Sequence, residues 1–411
     1  VSTTEKLSTG EKRQLLIDVS VIYKNDARTG IQRVVRALLL QLLKNPPVGY
    51  RICPIFSTRK HGYRYGHPNF LTDSISISDA KGQSVEVKSG DIFLGLDLCA
   101  HLLPRHQAQI LNWKRSGVQV HVLVYDLLPV MHPEWFNSKT TYNFKHWIRW
   151  ISIYADNAIC ISETVRVEFC TWLNACFKLP SNAIRSSSIV LGADIAASAP
   201  TGGLPNDSEE FLTKLQEMPS ILMVGTLEPR KGYDHALAAF EELWQNSNTG
   251  PLLVIVGRGG WKTEALQKRL KNHPEKGKRL FWLDTVSDEY LAQLYARCDG
   301  VFVASYAEGF GLPLVEATLH RKPVFARNLS VFREMSLKNV SYFDSETAKG
   351  TADALSQWLA GPAFQQVLSA PPSQWESCPT WEISANQLLH RLGLKQDFTP
   401  SLALPSDIKI N

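Results

Sequence analysis

At 411 residues the chain is too long for one ordinary core, and at roughly 100–200 residues per domain two large domains are expected. Apolar residues make up 44% of it and charged residues 20%, which excludes intrinsic disorder over most of the length. Its 44 Lys+Arg against 39 Asp+Glu leave a net charge of +5, which suits an anionic ligand or an acidic membrane surface but falls short of a nucleic-acid-coating protein.

The seven cysteines are odd in number and too scattered for a disulfide framework or a paired zinc knuckle, so a reducing compartment is expected. The most apolar stretches, Val118–Tyr125 and Pro251–Val256, are far shorter than the roughly 18–20 residues that span a bilayer. The first dozen residues are polar and contain no signal-peptide core, and residues 1–13 are read as a disordered tail. The chain begins at Val rather than Met, which leaves open that it is part of a longer polypeptide. These features predict a cytoplasmic protein, with peripheral contact at the inner face of the cell membrane left open.

Short β-rich runs alternate with amphipathic stretches along the chain. Gln14–Val19 predicts a buried strand, Asp26–Gly30 a turn, and Ile31–Leu43 a helix, from the spacing of Ile31, Val34, Val35, Leu38, Leu39 and Leu42. Ile92–Leu96, Val118–Tyr125 and Asn157–Ile161 repeat the strand pattern, and Glu163–Leu173 reads as helix. Residues 14–195 therefore predict an α/β domain with a parallel sheet covered by helices. Pro, Gly, Asn, Ser and acidic residues cluster in 196–217, which reads as an interdomain linker. A second series follows over 218–373. Its strands are Ser220–Gly225, Leu252–Gly257, Arg279–Leu283 and Gly300–Ala304, and its helices His235–Trp244, Thr263–Asn272, Asp288–Arg297 and Pro313–His320. In 374–411 a helical patch ends near Leu394, with the option of crossing back to the first domain, and 395–411 reads as loose. The fold class is α/β, two Rossmann-like doubly wound domains.

In open α/β sheets ligands sit at the carboxyl ends of strands, and three such segments stand out. After Gly300–Ala304 comes Ser305-Tyr306-Ala307-Glu308-Gly309-Phe310-Gly311-Leu312-Pro313-Leu314-Val315-Glu316. Gly309 and Gly311 let a backbone approach a ligand, free amides at a helix start favour phosphate, and Glu308 and Glu316 bracket the turn. The other reading is a turn that merely packs its helix. Gly225-Thr226-Leu227-Glu228-Pro229-Arg230-Lys231-Gly232 puts two cations at a strand-to-helix crossover, which suits a diphosphate or is a solvated basic turn. Val254–Gly260 is half of a dinucleotide fingerprint, and alone it decides nothing.

In order and spacing these segments resemble the C-terminal half of retaining GT-B glycosyltransferases of family four, whose E-x7-E pattern Glu308 and Glu316 reproduce. In the first half, Thr29-Gly30-Ile31-Gln32-Arg33-Val34 and Tyr125-Asp126-Leu127-Leu128-Pro129 with His132-Pro133-Glu134-Trp135 resemble the branch that builds bacterial polysaccharides, including O-antigen mannosyltransferases. Pro379-Thr380-Trp381 fits the same branch, and the likeness runs from about Leu15 to about Leu392. Tyr125 departs from relatives that have His there, Ala304 stands where Pro is frequent, and Arg321 where Gly is.

The resemblance implies two domains facing a central cleft and a metal-independent transfer from a nucleoside-diphosphate sugar, with GDP-mannose as the leading donor. It implies a glycan acceptor, lipid-linked glycans of the bacterial surface being the first choice, and no nucleic acid or cofactor. A dTDP-rhamnose or UDP-hexose donor is the alternative within enzymes, and a non-catalytic binding module of a larger assembly enzyme the alternative outside them. Arg230 and Lys231 are implied to hold the diphosphate, Glu308 to lie beside the transferred sugar, and Glu316 to bind ribose hydroxyls. Gly30, Gly225, Gly257, Phe310, Gly311 and Leu312 complete the implied donor site, and no metal ligand is expected. Asp126, at a strand end, is the candidate catalytic or acceptor-orienting carboxylate.

Two further stretches carry open alternatives. Tyr142–Tyr154 is aromatic at near-helical spacing and reads as core, with an acceptor or membrane surface as the other reading. Arg51–His67 mixes cations with Tyr63 and Tyr65, a solvated loop or an acceptor-binding surface. Arg59 and Tyr63 are therefore taken as acceptor candidates, and so is His132, six residues after Asp126, as a substitute for the family's His or else a residue that orients the turn before Pro133.

Overall fold

Runs such as Leu15–Ile17 and Leu252–Val256 are apolar at every position rather than at alternate ones, the pattern of strands covered on both faces. The computed structural model describes residues 12–71, 82–180, 182–246, 250–371, 375 and 378–395, and it places both runs inside parallel sheets. The first sheet contains β1 (Arg13–Asp18), β2 (Tyr50–Phe56), β3 (Arg64–Tyr65), β4 (Ile92–Gly95), β5 (Gln119–Val124), β6 (Asn157–Cys160) and β7 (Ser186–Ser188). Its order is β3-β2-β1-β4-β5-β6-β7, parallel except for β3. The second contains β8 (Ser220–Val224), β9 (Leu252–Val256), β10 (Leu280–Leu283), β11 (Gly300–Val303), β12 (Val324–Arg327) and β13 (Val340–Phe343), in the order β10-β9-β8-β11-β12-β13. Chain order reverses between β1 and β4 and again between β8 and β11, and these switch points are where open α/β sheets leave a crevice.

Three details differ from the sequence reading. Arg13, assigned to the tail, opens β1, while residues 1–11 lie outside the described ones. Arg51–His67 is not a loop throughout: it contains most of β2, paired residue by residue with β1, and all of β3. The 196–217 stretch is not all linker, because Ser208–Glu217 forms a helix whose Leu212 and Leu215 enter the core of the second sheet. Its two acidic residues in the first turn complement the positive end of the helix. Of the expected loose end 395–411, residues 396–411 lie outside the described ones.

The aromatic stripe packs as core. In the Ser138–Tyr154 helix, Phe144, Trp147, Ile148, Trp150 and Ile151 are buried on the first sheet, while Tyr142, Lys145, His146 and Arg149 face solvent. No helix among the described residues is long and apolar enough to cross a membrane.

The last helix, Trp381–Arg391, leaves the second sheet and packs on the first. Trp381, Ala385, Leu388 and Leu389 join Val35, Leu38 and Leu42 of the Gly30–Lys44 helix in one core. Three polar bonds fix its register: Trp381 N–H to Asp194 Oδ1 at 2.9 Å, Gly192 N–H to Ser384 Oγ at 2.7 Å, and Val190 N–H to Gln387 Oε1 at 2.8 Å. Trp381 has no exposed surface. Trp381→Ala is expected to cost about 3–5 kcal/mol, a loss of transfer energy plus a cavity, read as a lowered urea midpoint of the first domain.

Candidate active site

Both switch points open onto one cleft of about 980 Å³ between the domains. Two helices begin there. Gly30–Lys44 starts with a capping box, Thr29 Oγ1 accepting from Gln32 N–H and the Gln32 side chain accepting from Thr29 N–H. Leu312–Leu319 starts opposite, and a Cβ on Gly30 would sit 3.8 Å from Leu312 Cδ1. Both helix N-termini thus turn their partial positive charge to the same space, which favours an anion. Gly30, Asp126, Gly225, Arg230, Lys231, Gly257, Glu308, Phe310, Gly311, Leu312 and Glu316, all singled out in the sequence, line this cleft.

Gly225 and Gly257 directly follow β8 and β9, side by side. Gly257 has φ 156°, and a Cβ there would overlap the Gly225 carbonyl, so the floor of the cleft is bare backbone. Beside it, a Pro229–Lys231 turn aims two cations at one carboxylate. Arg230 Nη1 donates to Glu308 Oε2 at 2.5 Å, Lys231 Nζ to Glu308 Oε1 at 2.5 Å, and Ser305 Oγ to the same Oε1 at 2.7 Å. Arg230 Nε also donates to Glu228 Oε2 at 2.8 Å. Burial alone raises the Glu308 carboxyl, but the Arg230 and Lys231 charges and the Lys231 and Ser305 hydrogen bonds outweigh it and bring it to about 2. Burial works against the Arg230 charge, yet Glu308, Glu228 and Asp126 hold its pKa above the usual value.

The turn carrying Glu308 touches the other domain. A Cβ on Gly309 would overlap the Tyr125 carbonyl oxygen and lie 3.2 Å from Asp126 Cβ, and Gly309 O accepts from Ser162 Oγ at 2.8 Å. Asp126 follows β5, and its Oδ1 accepts from Leu128 N–H at 3.1 Å. Burial raises the Asp126 carboxyl, with Arg230 acting the other way. Tyr125 turns its ring into the core and donates from its hydroxyl to Leu96 O at 2.8 Å. Farther out, the Glu334 carboxylate caps the Glu163–Phe177 helix of the first domain, accepting from Glu163 N–H at 2.6 Å and Thr164 N–H at 2.8 Å.

Glu316 is buried with both oxygens occupied. Tyr295 OH donates to Oε2 at 2.7 Å, and Arg33 of the first domain pairs with Oε1. Arg33 Nη2 also donates to Asp288 Oδ1 at 3.1 Å, and Asp288 Oδ2 accepts from Thr201 N–H at 2.8 Å. The sequence reading missed Arg33, Asp288 and Tyr295 as members of the site. Arg33 carried a signal, a cation inside the quoted Thr29–Val34 string; Asp288 and Tyr295 carried none beyond their helix.

The three acceptor candidates are not among the residues lining the cleft. Tyr63 is buried in the first core, where its hydroxyl donates to the carboxyl of Asp18 at 2.6 Å, so it meets no solute. Arg59 sits in an exposed turn closed by Thr58 N–H to His61 O at 3.0 Å. His132 stacks on Trp135 at 4.2 Å and pairs with Glu134 at 3.2 Å, which fixes it on the turn before Pro133. Among the described residues no group of three or more His, Cys, Asp or Glu is placed to hold a metal ion.

Residues 206–370 match the family model described as Glycosyl transferases group 1. Over 385 residues the chain is 38% identical to the Serotype-specific mannosyltransferase WbdA of Escherichia coli, covering 92% of this chain and 46% of that protein. It is 28% identical over 224 residues to the O-antigen chain mannosyltransferase B of Escherichia coli, 52% of this chain and 56% of that one. The chain spans about half the length of these curated relatives. Among solved structures, Anabaena Alr3699/HepE in complex with UDP and glucose superposes with a TM-score of 0.63 at 16% identity, over 93% of this chain and 100% of that one. The architecture is the GT-B fold expected from the sequence.

Glu308, ordinarily near 4.5 and here near 2, contributes stability that is complete above 4.5 and lost as pH falls through about 2. Glu308→Gln should flatten the fall of melting temperature across that window, measured beside the parent protein. Gly309→Ala forces the Tyr125 carbonyl away, and scattering in solution should report a larger radius of gyration with both sheets still folded.

Proposed function

We propose that the chain, whose residues 206–370 match the group 1 glycosyl transferases, is a glycosyltransferase moving mannose from GDP-mannose, with retention at the anomeric carbon and without a metal ion, onto a growing bacterial surface glycan. The observation that carries the reading is the convergence of Arg230 and Lys231 on Glu308 at 2.5 Å, between two facing helix N-termini. The choice of mannose is supported by the likeness to proteins named as mannosyltransferases. A lipid-linked acceptor, met by the protein at the inner face of the cell membrane, belongs to the same proposal.

In the free cleft the two cations are held by Glu308 and Glu228. An arriving diphosphate competes for them, and Arg230 can fork two oxygens while Lys231 supplies a point charge. As the nucleoside diphosphate leaves, the same cations and the amides of Phe310, Gly311 and Leu312 meet the growing negative charge, which lowers the barrier because they are already in place. Glu308, ionised and no longer fully neutralised, faces positive character at the anomeric carbon. Asp126, on the opposite wall, orients the acceptor hydroxyl. Glu316 takes the ribose diol once Arg33 yields Oε1, and Arg33 keeps its bond to Asp288 meanwhile.

Thermal shift with GDP, UDP and dTDP, each with and without EDTA, tests donor and metal together. A ligand at 100 times its Kd adds about 2.7 kcal/mol, so a selective shift with GDP that EDTA leaves unchanged is expected. A selective shift with UDP or dTDP retains the transferase and discards mannose, and one abolished by EDTA discards metal independence. Glu308→Gln should keep the nucleotide shift and lose transfer by about 100-fold or more, as removal of a group acting on the transition state does. Full transfer by that variant sinks the role given to Glu308.

A further inference from the structure

Three aromatic side chains meet at the edge of the cleft from three different strand ends. Trp261 follows β9 and lines the cleft itself. Tyr306 follows β11, two residues before Glu308, and its N–H is bonded to Arg230 O at 2.8 Å. Trp135 comes from the first domain, on the turn that ends after β5 and Asp126. Trp135 and Tyr306 lie with ring centroids 6.4 Å apart and planes 30° apart, and Trp261 packs on Phe136 at 5.8 Å. Trp261 is 40% exposed and Tyr306 42%, an unusual display for large rings where two domains join.

These rings are held rather than loose. Trp261 Nε1–H donates to Trp135 O at 2.8 Å, and Lys262 Nζ beside it donates to Glu134 O at 2.7 Å. The buried Arg327 guanidinium lies 4.5 Å from the centroid of Tyr306, anchored by Nε to Ala304 O at 3.2 Å and Nη1 to Ser345 O at 3.3 Å. His132 stacks on Trp135. A ring whose indole N–H is satisfied and whose rotamer is fixed has little entropy left to lose when a ligand covers it.

We propose that the exposed rings of Trp261 and Tyr306, backed by Trp135, form a ledge on which the pyranose rings of the acceptor glycan stack as they approach Glu308 and Asp126. The inference rests on the glycosyltransferase reading and specifies where its acceptor is held. One face of a pyranose is lined by C–H groups, which match the electron-rich face of an aromatic ring, while its equatorial hydroxyls point outward to polar partners. Such partners surround the ledge in His132, Glu134 and Lys262. The exposed Glu134 carboxylate sets the surface against an anionic lipid bilayer, whereas a neutral sugar takes it as a hydrogen-bond acceptor. The ledge draws on both domains, so an acceptor lying across it also spans the closed cleft.

The test has a donor-free arm and a turnover arm. In the first, a mannose trisaccharide is titrated into the full chain and into Trp261→Ala and Tyr306→Ala, with binding followed by saturation-transfer NMR. Both variants are expected to weaken binding about tenfold, and Trp261→Phe and Tyr306→Phe to restore most of it. In the second, the alanine variants are expected to raise the acceptor KM by a similar factor while donor KM and acceptor-independent nucleotide release stay within about twofold. Unchanged trisaccharide binding in the alanine variants overturns the ledge. So does a rise in donor KM equal to that in acceptor KM, which assigns the rings to domain closure, or a loss of binding to phosphatidylglycerol vesicles in place of the sugar, which assigns them to a lipid surface. If the parent protein binds the trisaccharide through these rings but releases no nucleotide from any sugar donor, the ledge stands and the transferase reading falls.

Discussion

A backbone-to-backbone contact fixes the geometry on which the cleft depends: Gly309 lies against the carbonyl of Tyr125, at a separation that a single added carbon would break. It sets the turn bearing Glu308 next to the end of β5, so the carboxylate of one domain and Asp126 of the other face the same space. The contacts around it are of different physical kinds. Ser162 donates to Gly309 O, Glu334 caps a helix of the first domain, and Arg33 spans from that domain to Asp288 and Glu316. A side-chain ion pair can be exchanged for a ligand, whereas the steric limit at Gly309 cannot, so the closed arrangement has one rigid point with exchangeable contacts on either side.

The charges in the cleft follow from the same closeness. Arg230 and Lys231 emerge from a short turn and meet the buried Glu308, whose carboxylate their charges stabilise against the cost of burial. This arrangement keeps two cations from collapsing onto some other acid while the cleft is empty. It also keeps the cost of rearrangement small when an anion arrives, since the cations turn from one set of oxygens to another of the same geometry.

Much of this was legible in the chain. Uniformly apolar runs such as Leu252–Val256 announce strands buried on both faces, and the Glu308–Glu316 spacing announces a turn leading into a helix. Arg321, noted in the sequence only as a departure from the resembled family, adopts φ 56°, the left-handed conformation glycine favours. What was hidden has physical causes. Pro54 lies at the middle of β2 opposite Ile17, and a proline amid cations reads as loop because it cannot donate to a ladder. β7 is Ser186–Ser188 and has no apolar signal at all. Tyr63 looked like a ring for sugars because nothing in its neighbours reveals Asp18, 45 positions away, as the partner of its hydroxyl. The pairing of Glu316 with Arg33 was invisible for the same reason on a larger scale, as it joins residues 283 positions apart.

The return of the last helix to the first domain also bears on how the protein is made. Strand β7 closes the first sheet at Ser188, yet the helix that completes its core begins only at Trp381. At about 5–20 residues per second a ribosome needs roughly 10–40 s to cover that interval. Throughout it, the apolar side of the Gly30–Lys44 helix that later receives Leu388 and Leu389 waits uncovered while the second domain is being synthesised. The first of the two domains therefore completes its core after the second, and the nascent chain is most in need of a chaperone until the Trp381–Arg391 helix has emerged.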